Sequence, residues 1–179
     1  MSKVDVIHKE IEIPSGVTMN LKDLVLKVKG PRGELTRRFF HPKVNVKVKG
    51  GKFSIHCDKP KRSEMGLAGT WNAHVNNMVK GVTEGFHYKM RIIFSHFPIK
   101  TSVKGNELVI ENFLGERHPR RAKILEGVSI KISGDSISLE GNDKEMVGQT
   151  AANIEKATIV RGYDPRVFQD GIYRVSRGD

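Results

Sequence analysis

The chain contains the same pattern twice. Positions 84 residues apart match in series: Ile13-Pro14 with Phe97-Pro98, Leu24-Val25-Leu26 with Leu108-Val109-Ile110, and Val44, Val46 and Val48 with Val128, Ile130 and Ile132. Gly50 then matches Gly134, and Phe53 and Ile55 match Ile137 and Leu139. The offset drops to 79 after extra residues around Lys59-Pro60-Lys61-Arg62-Ser63, and the matches resume with Leu67-Ala68-Gly69 against Met146-Val147-Gly148, Ala73 against Ala152 and Val75 against Ile154. Chance does not readily give a constant offset over a long stretch followed by one clean gap. A repeated pattern of this kind means one structural unit used twice. Two domains are therefore expected, residues 1–83 and 84–179, joined near Gly81-Val82-Thr83-Glu84-Gly85, and a length of 179 residues accommodates two small ones.

Each copy carries the same local signals. Strict alternation in Val44-Asn45-Val46-Lys47-Val48 marks a strand with one buried face, and Gly50-Gly51 turns it into Lys52-Phe53-Ser54-Ile55. In the second copy Val128–Ile132 turns at Gly134-Asp135 into Ser136–Leu139. A helix follows each hairpin. Ala68, Trp71, Val75, Met78 and Val79 recur at helical spacing in the first, with Trp71 as a core anchor. Val147, Ala151, Ile154 and Thr158 do so in the second, with Asp143 as N-cap. The expected fold is α+β: two tandem repeated domains, each a small, mostly antiparallel sheet with one helix packed on one face.

Several classes are excluded. No run approaches about 18 apolar residues, so no membrane partner is expected. Met1–His8 lacks an apolar stretch of signal-peptide length, and the lone Cys57 precludes an intrachain disulfide. Both fit a cytoplasmic protein. His8, His41, His56, His74, His87, His96 and His118 fall at unrelated spacings, without His-x-x-x-His or Cys-x-x-Cys pairs, so no metal or cofactor is expected. In His56-Cys57-Asp58, the neighbours of Cys57 point to the opposite face of a strand, which argues against a nucleophilic set. Gly30-Pro31-Arg32-Gly33 has no Gly-Lys-Ser/Thr ending and reads as a turn between Leu24–Lys29 and Glu34–Phe39. No convergent acid, base or nucleophile emerges, so no catalytic residue is expected.

Charge points to a polyanion. The chain has 31 Lys+Arg against 20 Asp+Glu, a net of +11. Divided after Glu84, the first copy holds 16 against 8 and the second 15 against 12, yet 8 of the 12 arginines lie in the second. Arginine suits bidentate phosphate contact and stacking on bases. One cluster is Arg117-His118-Pro119-Arg120-Arg121-Ala122-Lys123. The other is a tail from Arg161 to Arg177 that has no counterpart in the first copy and mixes arginine with Tyr163, Phe168 and Tyr173. This tail has two readings: an extension that becomes ordered against RNA, or a segment packed back on its own domain with Phe168 and Ile172 as plugs.

These residues resemble the universal large-subunit ribosomal protein L-six family, in its archaeal and eukaryotic form. The resemblance rests on the duplication, on Met78–Phe86 at the junction, on Asn106-Glu107-Leu108-Val109-Ile110 and His118-Pro119, on Val147–Ile154, and on the ending Val167-Phe168-Gln169-Asp170-Gly171-Ile172-Tyr173. The Tyr-Lys-Gly-Lys-Gly type ending of the bacterial branch is missing. The resemblance implies a structural constituent of the large ribosomal subunit. It would bind large-subunit rRNA, mainly through the second domain, near the sarcin-ricin loop and the stalk base where translational GTPases dock. Its partners would be that rRNA and neighbouring ribosomal proteins of the large subunit, with no homo-oligomer. The expected rRNA-binding residues are Arg117, His118, Arg120, Arg121, Lys123, Lys144, Gln149, Asn153, Lys156, Arg161, Arg166, Phe168, Gln169, Tyr173 and Arg174. Gln149 and Asn153 would lie about a turn apart on the second helix, with Lys144 and Lys156 part of the same polar surface.

Charge removal at Arg120, Arg121 and Arg166 is expected to weaken rRNA association more than equal changes at Lys47 and Lys49, and removal of Asp164–Asp179 to leave a folded protein with impaired subunit incorporation. A free nucleic-acid-binding chaperone is the alternative function. A basic enzyme built around His56 and Cys57 is a third.

Overall fold

The computed structural model describes residues 6–95, 97–164 and 166–177. His96 and Pro165, the latter part of a turn signal in the tail, lie outside the described residues. The chain divides into two compact units, Met1–Glu84 and Gly85–Asp179.

The first unit runs β1 (Val6–Glu12), β2 (Thr18–Lys22), β3 (Val25–Gly30), β4 (Gly33–Arg38), β5 (Asn45–Lys49), β6 (Lys52–Asp58) and α1 (Arg62–Thr83). The strands form two antiparallel ladders, β1-β6-β5 and β2-β3-β4. The tight β5–β6 turn needs two residues in the left-handed region, which Gly50 (φ 57°) and Gly51 (φ 75°) supply. That turn sets the register Val48↔Phe53 and Val46↔Ile55. Phe53, Ile55 and Cys57 therefore face the core, fully buried. His56 and Asp58 lie together on the other face, 3.1 Å apart, so the geometry separates both from Cys57. Burial pushes the Cys57 thiol pKa up, away from the reactive thiolate.

Helix α1 buries Ala68, Trp71, Val75, Met78 and Val82. Trp71 stands edge-on to Phe39 at 5.3 Å between ring centres, and Phe39 tilts against Phe53 at 6.2 Å. The buried Glu64 carboxylate accepts the Lys61 backbone N–H at the helix start. The joining segment Gly81-Val82-Thr83 is the last turn of this helix, which Gly85 (φ 80°) ends. The five-residue fall in offset lies between β6 and the first turns of α1, a helix of 22 residues against 14 in its counterpart.

The second unit runs β7 (Phe86–Ile93), β8 (Lys100–Lys104), β9 (Glu107–Glu111), a 3-10 turn at Phe113–Gly115, β10 (Arg120–Lys123), β11 (Val128–Ser133), β12 (Ser136–Gly141), α2 (Lys144–Ala157) and β13 (Gly171–Ser176). Its ladders are β10-β9-β8 and β11-β12-β7-β13. Strand order therefore repeats between the units, with β7-β12-β11 matching β1-β6-β5, and both are α+β. Asp143 caps α2 by accepting the Glu145 N–H at 2.8 Å. Val147, Thr150, Ala151 and Ile154 are the buried face of that helix.

The addition is β13, which pairs antiparallel with the edge of β7 in the register Ile172↔Ile92. Ile172 and Asp170 are fully buried. Of the two readings of the tail, the packed one describes residues 171–176. The pairing of β13 and the burial of Ile172 weigh against the expectation that removal of Asp164–Asp179 leaves a folded protein. A fully buried isoleucine contributes about 1.5–3 kcal/mol through its apolar surface alone, and removing β13 also leaves the β7 edge unpaired.

Candidate nucleic-acid interface

The expected binding residues fall into three places in the second unit. The first is β10 and the loop before it. Arg117 and His118 are exposed there. Arg121 is exposed and reaches Glu107 Oε2 at 3.5 Å. Lys123 projects outward while its carbonyl accepts the Asn153 Nδ2–H at 3.0 Å. Alternation along β10 turns Ala122 into the core and leaves Arg121 and Lys123 on the outer side.

Arg120, on the inward side, is engaged inside the unit. Its Nε and Nη2 donate to the two Glu116 carboxylate oxygens at 2.9 and 2.6 Å. Its Nη1 donates to the carbonyls of Ala157 and Ile159 at 3.0 and 2.9 Å. Only a planar five-donor fork can serve a carboxylate and two helix-end carbonyls together. A cation at a helix C-terminus also complements the helix dipole. The hydrogen bonds and charge of Arg120 hold the Glu116 carboxyl below the usual carboxylate range, against the opposing effect of burial.

The second place is α2. Gln149 Nε2 donates to Asn153 Oδ1 at 3.0 Å, and Asn153 in turn donates to the Lys123 carbonyl. The backbone N–H of Leu125 donates to Thr150 Oγ1 at 3.2 Å. These polar groups stitch α2 to the β10 segment, so Asn153 is a structural bridge as well as a rim residue. Lys144 opens the helix with its ammonium 5.7 Å from the centre of the Phe86 ring. Twelve residues at 1.5 Å rise place Lys144 about 18 Å from Lys156, so the two cations serve different parts of any ligand.

The third place is the end of α2 with the tail. Ile172 N–H donates to Thr158 Oγ1 at 3.1 Å, and Arg174 N–H donates to Glu155 Oε1 at 2.9 Å. The Asp170 carboxylate accepts the Ser95 N–H at 3.0 Å. Asp164 turns the chain by accepting the N–H of Arg166 on its carboxylate and those of Val167 and Phe168 on its carbonyl. Tyr163 and Phe168 stack tilted at 4.7 Å. Arg161, Arg166, Gln169 and Tyr173 are exposed, Phe168 is half-buried, and the Arg174 guanidinium lies 6.0 Å from the centre of the Tyr88 ring. A groove of about 590 Å³ opens here, with Lys156, Phe168, Gln169 and Tyr173 among its walls.

Sequence reasoning missed Glu155, Thr158 and Asp170 as the groups that hold the tail. An acidic residue inside an arginine-rich segment was the available signal for Asp170. Among the described residues, no group of three or more His, Cys, Asp or Glu side chains is placed to hold a metal, and no helix is long and apolar enough to cross a membrane.

Fold and surface together define a duplicated α+β protein whose second copy presents cations and aromatic rings around a helix end. A profile of the ribosomal protein L6 family matches residues 13–85 and 97–171, one segment in each unit. The large ribosomal subunit protein uL6 of Methanococcus vannielii is 45% identical over 171 residues, covering 96% of this chain and 94% of that protein. The chain belongs to the ribosomal protein L6 family.

Proposed function

We propose that the chain is a structural constituent of the large ribosomal subunit that binds large-subunit rRNA in the cytoplasm, mainly through its second unit. The observation that carries this reading is family membership across both repeats. The exposed cations of the second unit supply the chemistry. Arg117, Arg121, Lys123, Lys156, Arg161 and Arg166 neutralise phosphates and release counterions, so affinity falls steeply with salt. Arginine planes and tail aromatics stack on unpaired bases, while the sheet and helix hold the loops in a fixed shape.

The proposed position on the subunit is near the sarcin-ricin loop and the stalk base, where the protein supports the site at which translational GTPases dock. Neighbouring ribosomal proteins complete its surroundings. Its role is binding, with no turnover. Crosslinking the intact protein to rRNA in purified large subunits tests this reading. Adducts in or beside the sarcin-ricin loop are expected, whereas adducts confined to distant rRNA would move the site elsewhere. A protein that fails to sediment with large subunits at moderate salt would be a free nucleic-acid-binding chaperone instead.

A further inference from the structure

The groove at the C-terminal end of α2 has an aromatic wall held by its own segment. One wall is the Tyr173 ring, 45% exposed yet fixed in place. Its hydroxyl donates to the Gln169 carbonyl at 3.2 Å. The side chain also lies down on Gly171, where an added Cβ would sit 3.0 Å from two ring carbons and from the hydroxyl oxygen of Tyr173. Phe168 and Val160 pack partly against the core behind the groove, and Ile159 stands 48% exposed at its edge. Apolar side chains left this open at a preformed concavity mark a binding site.

The rim is polar, with the Glu155 carboxylate in the lining beside the Lys156 ammonium. Lys156 and Gln169 line the groove. Arg161 and Arg166 are exposed in the segment that leads from Val160 to Phe168. Each acid nearby is turned toward a backbone N–H: Glu155 accepts that of Arg174, Asp164 that of Arg166, and the buried Asp170 that of Ser95. A flat apolar ligand that carries negative charge on its flanks matches this combination of a held aromatic wall and exposed cations. An apolar peptide would match the walls but not the rim.

We propose that the groove takes one unpaired nucleobase of the RNA, stacked on Tyr173, with the adjoining phosphates on Lys156, Arg161 and Arg166. The inference rests on the rRNA-binding reading and adds to it a particular pocket and a particular chemical group. Stacking is sequence-tolerant because every base has a π-face. The Lys156 ammonium and the Gln169 amide supply hydrogen bonds to a base edge.

The test uses the full chain and two probes, purified large-subunit rRNA and a short RNA oligomer of abasic nucleotides carrying a single 2-aminopurine. The wild-type protein is expected to quench the 2-aminopurine. Tyr173→Ala is expected to abolish the quench and to weaken rRNA binding by roughly 5- to 150-fold, the range for losing one stacked base. Ile159→Glu, an exposed change that puts a carboxylate at the groove edge, is expected to act likewise and guards against misfolding of the first variant. Equal quenching and equal rRNA affinity in folded variants and wild type would overturn the pocket while leaving rRNA binding in place. Failure of the wild type to bind rRNA at all would instead overturn the rRNA-binding reading, and the pocket with it. A protein, in place of a nucleotide, crosslinked from residue 159 in intact subunits would also overturn the nucleobase assignment.

Discussion

The guanidinium of Arg120 lies 4.2 Å from the centre of the Phe113 ring, a cation–π contact at the point where β10, the 3-10 turn and the end of α2 meet. With the bonds to Glu116, Ala157 and Ile159, this makes Arg120 a clamp of the second unit rather than a free ligand for phosphate. Arg120→Ala is expected to destabilise the protein by about 2–3 kcal/mol, the scale of losing charged hydrogen bonds in a partly buried site. Arg120→Lys should recover little, because a point charge cannot serve both the carboxylate and the carbonyls. Denaturant unfolding checks this. A variant with normal stability but weakened RNA binding would return Arg120 to the interface.

The same clamp gives an acid-sensitive term. Arg120 holds the Glu116 pKa below its ordinary value, first by hydrogen bonding and then by charge. A depressed folded-state pKa contributes stability that is fully present above the unfolded carboxylate value, about 4.3, and lost as pH falls through the lower folded value. Unfolding followed by circular dichroism from pH 6 to 3 should show a shallower loss for Glu116→Gln than for wild type. Parallel curves for the two proteins would contradict this.

Deleting Asp164–Asp179 should abolish cooperative unfolding of the second unit. The deletion removes β13, empties the Ile172 position and frees the edge of β7. Calorimetry should show a broadened or missing transition, while fluorescence of Trp71, the one tryptophan, follows the first unit. A sharp calorimetric transition of unchanged area would contradict it.

Two glycines should respond oppositely to alanine. At Gly30 an added Cβ would lie 2.7 Å from both a methyl carbon and the carbonyl oxygen of Val82. That carbonyl also accepts the Arg32 N–H at 3.0 Å, so it cannot retreat freely. Gly30→Ala should cost about 1–3 kcal/mol. At Gly66, in α1, an added Cβ meets nothing within 4 Å, and Gly66→Ala should stabilise by about 0.5–1 kcal/mol. Thermal melts of the two variants read both signs.

What the sequence made legible was local. Alternating valines, paired glycines at tight turns and the Asp143 cap each specify structure within a few residues, and doubling the pattern made them readable even where one copy was weak. Arg120 and Arg121 show where that ends. They are adjacent and chemically identical, yet opposite faces of β10 send one inward to α2 and the other to solvent. Which face meets α2 depends on the pairing Arg121↔Val109 and on a helix more than twenty residues further on. The tail was ambiguous for the same reason. Ile172 is buried because β7, at the other end of its unit, offers an open edge, and no pattern within the tail records that.

Strand β13 also sets an order of events during synthesis. The first unit has all its strands and its helix once Thr83 has been made. The second begins with β7, and β13, the last strand among the described residues, pairs with that same β7. During synthesis the second unit therefore lacks the strand that pairs with the free side of β7 until residues 171–176 have been added, by which time every described element of the first unit has been made. A nascent chain of this protein should pass through a state with one half folded and the other waiting for its final strand.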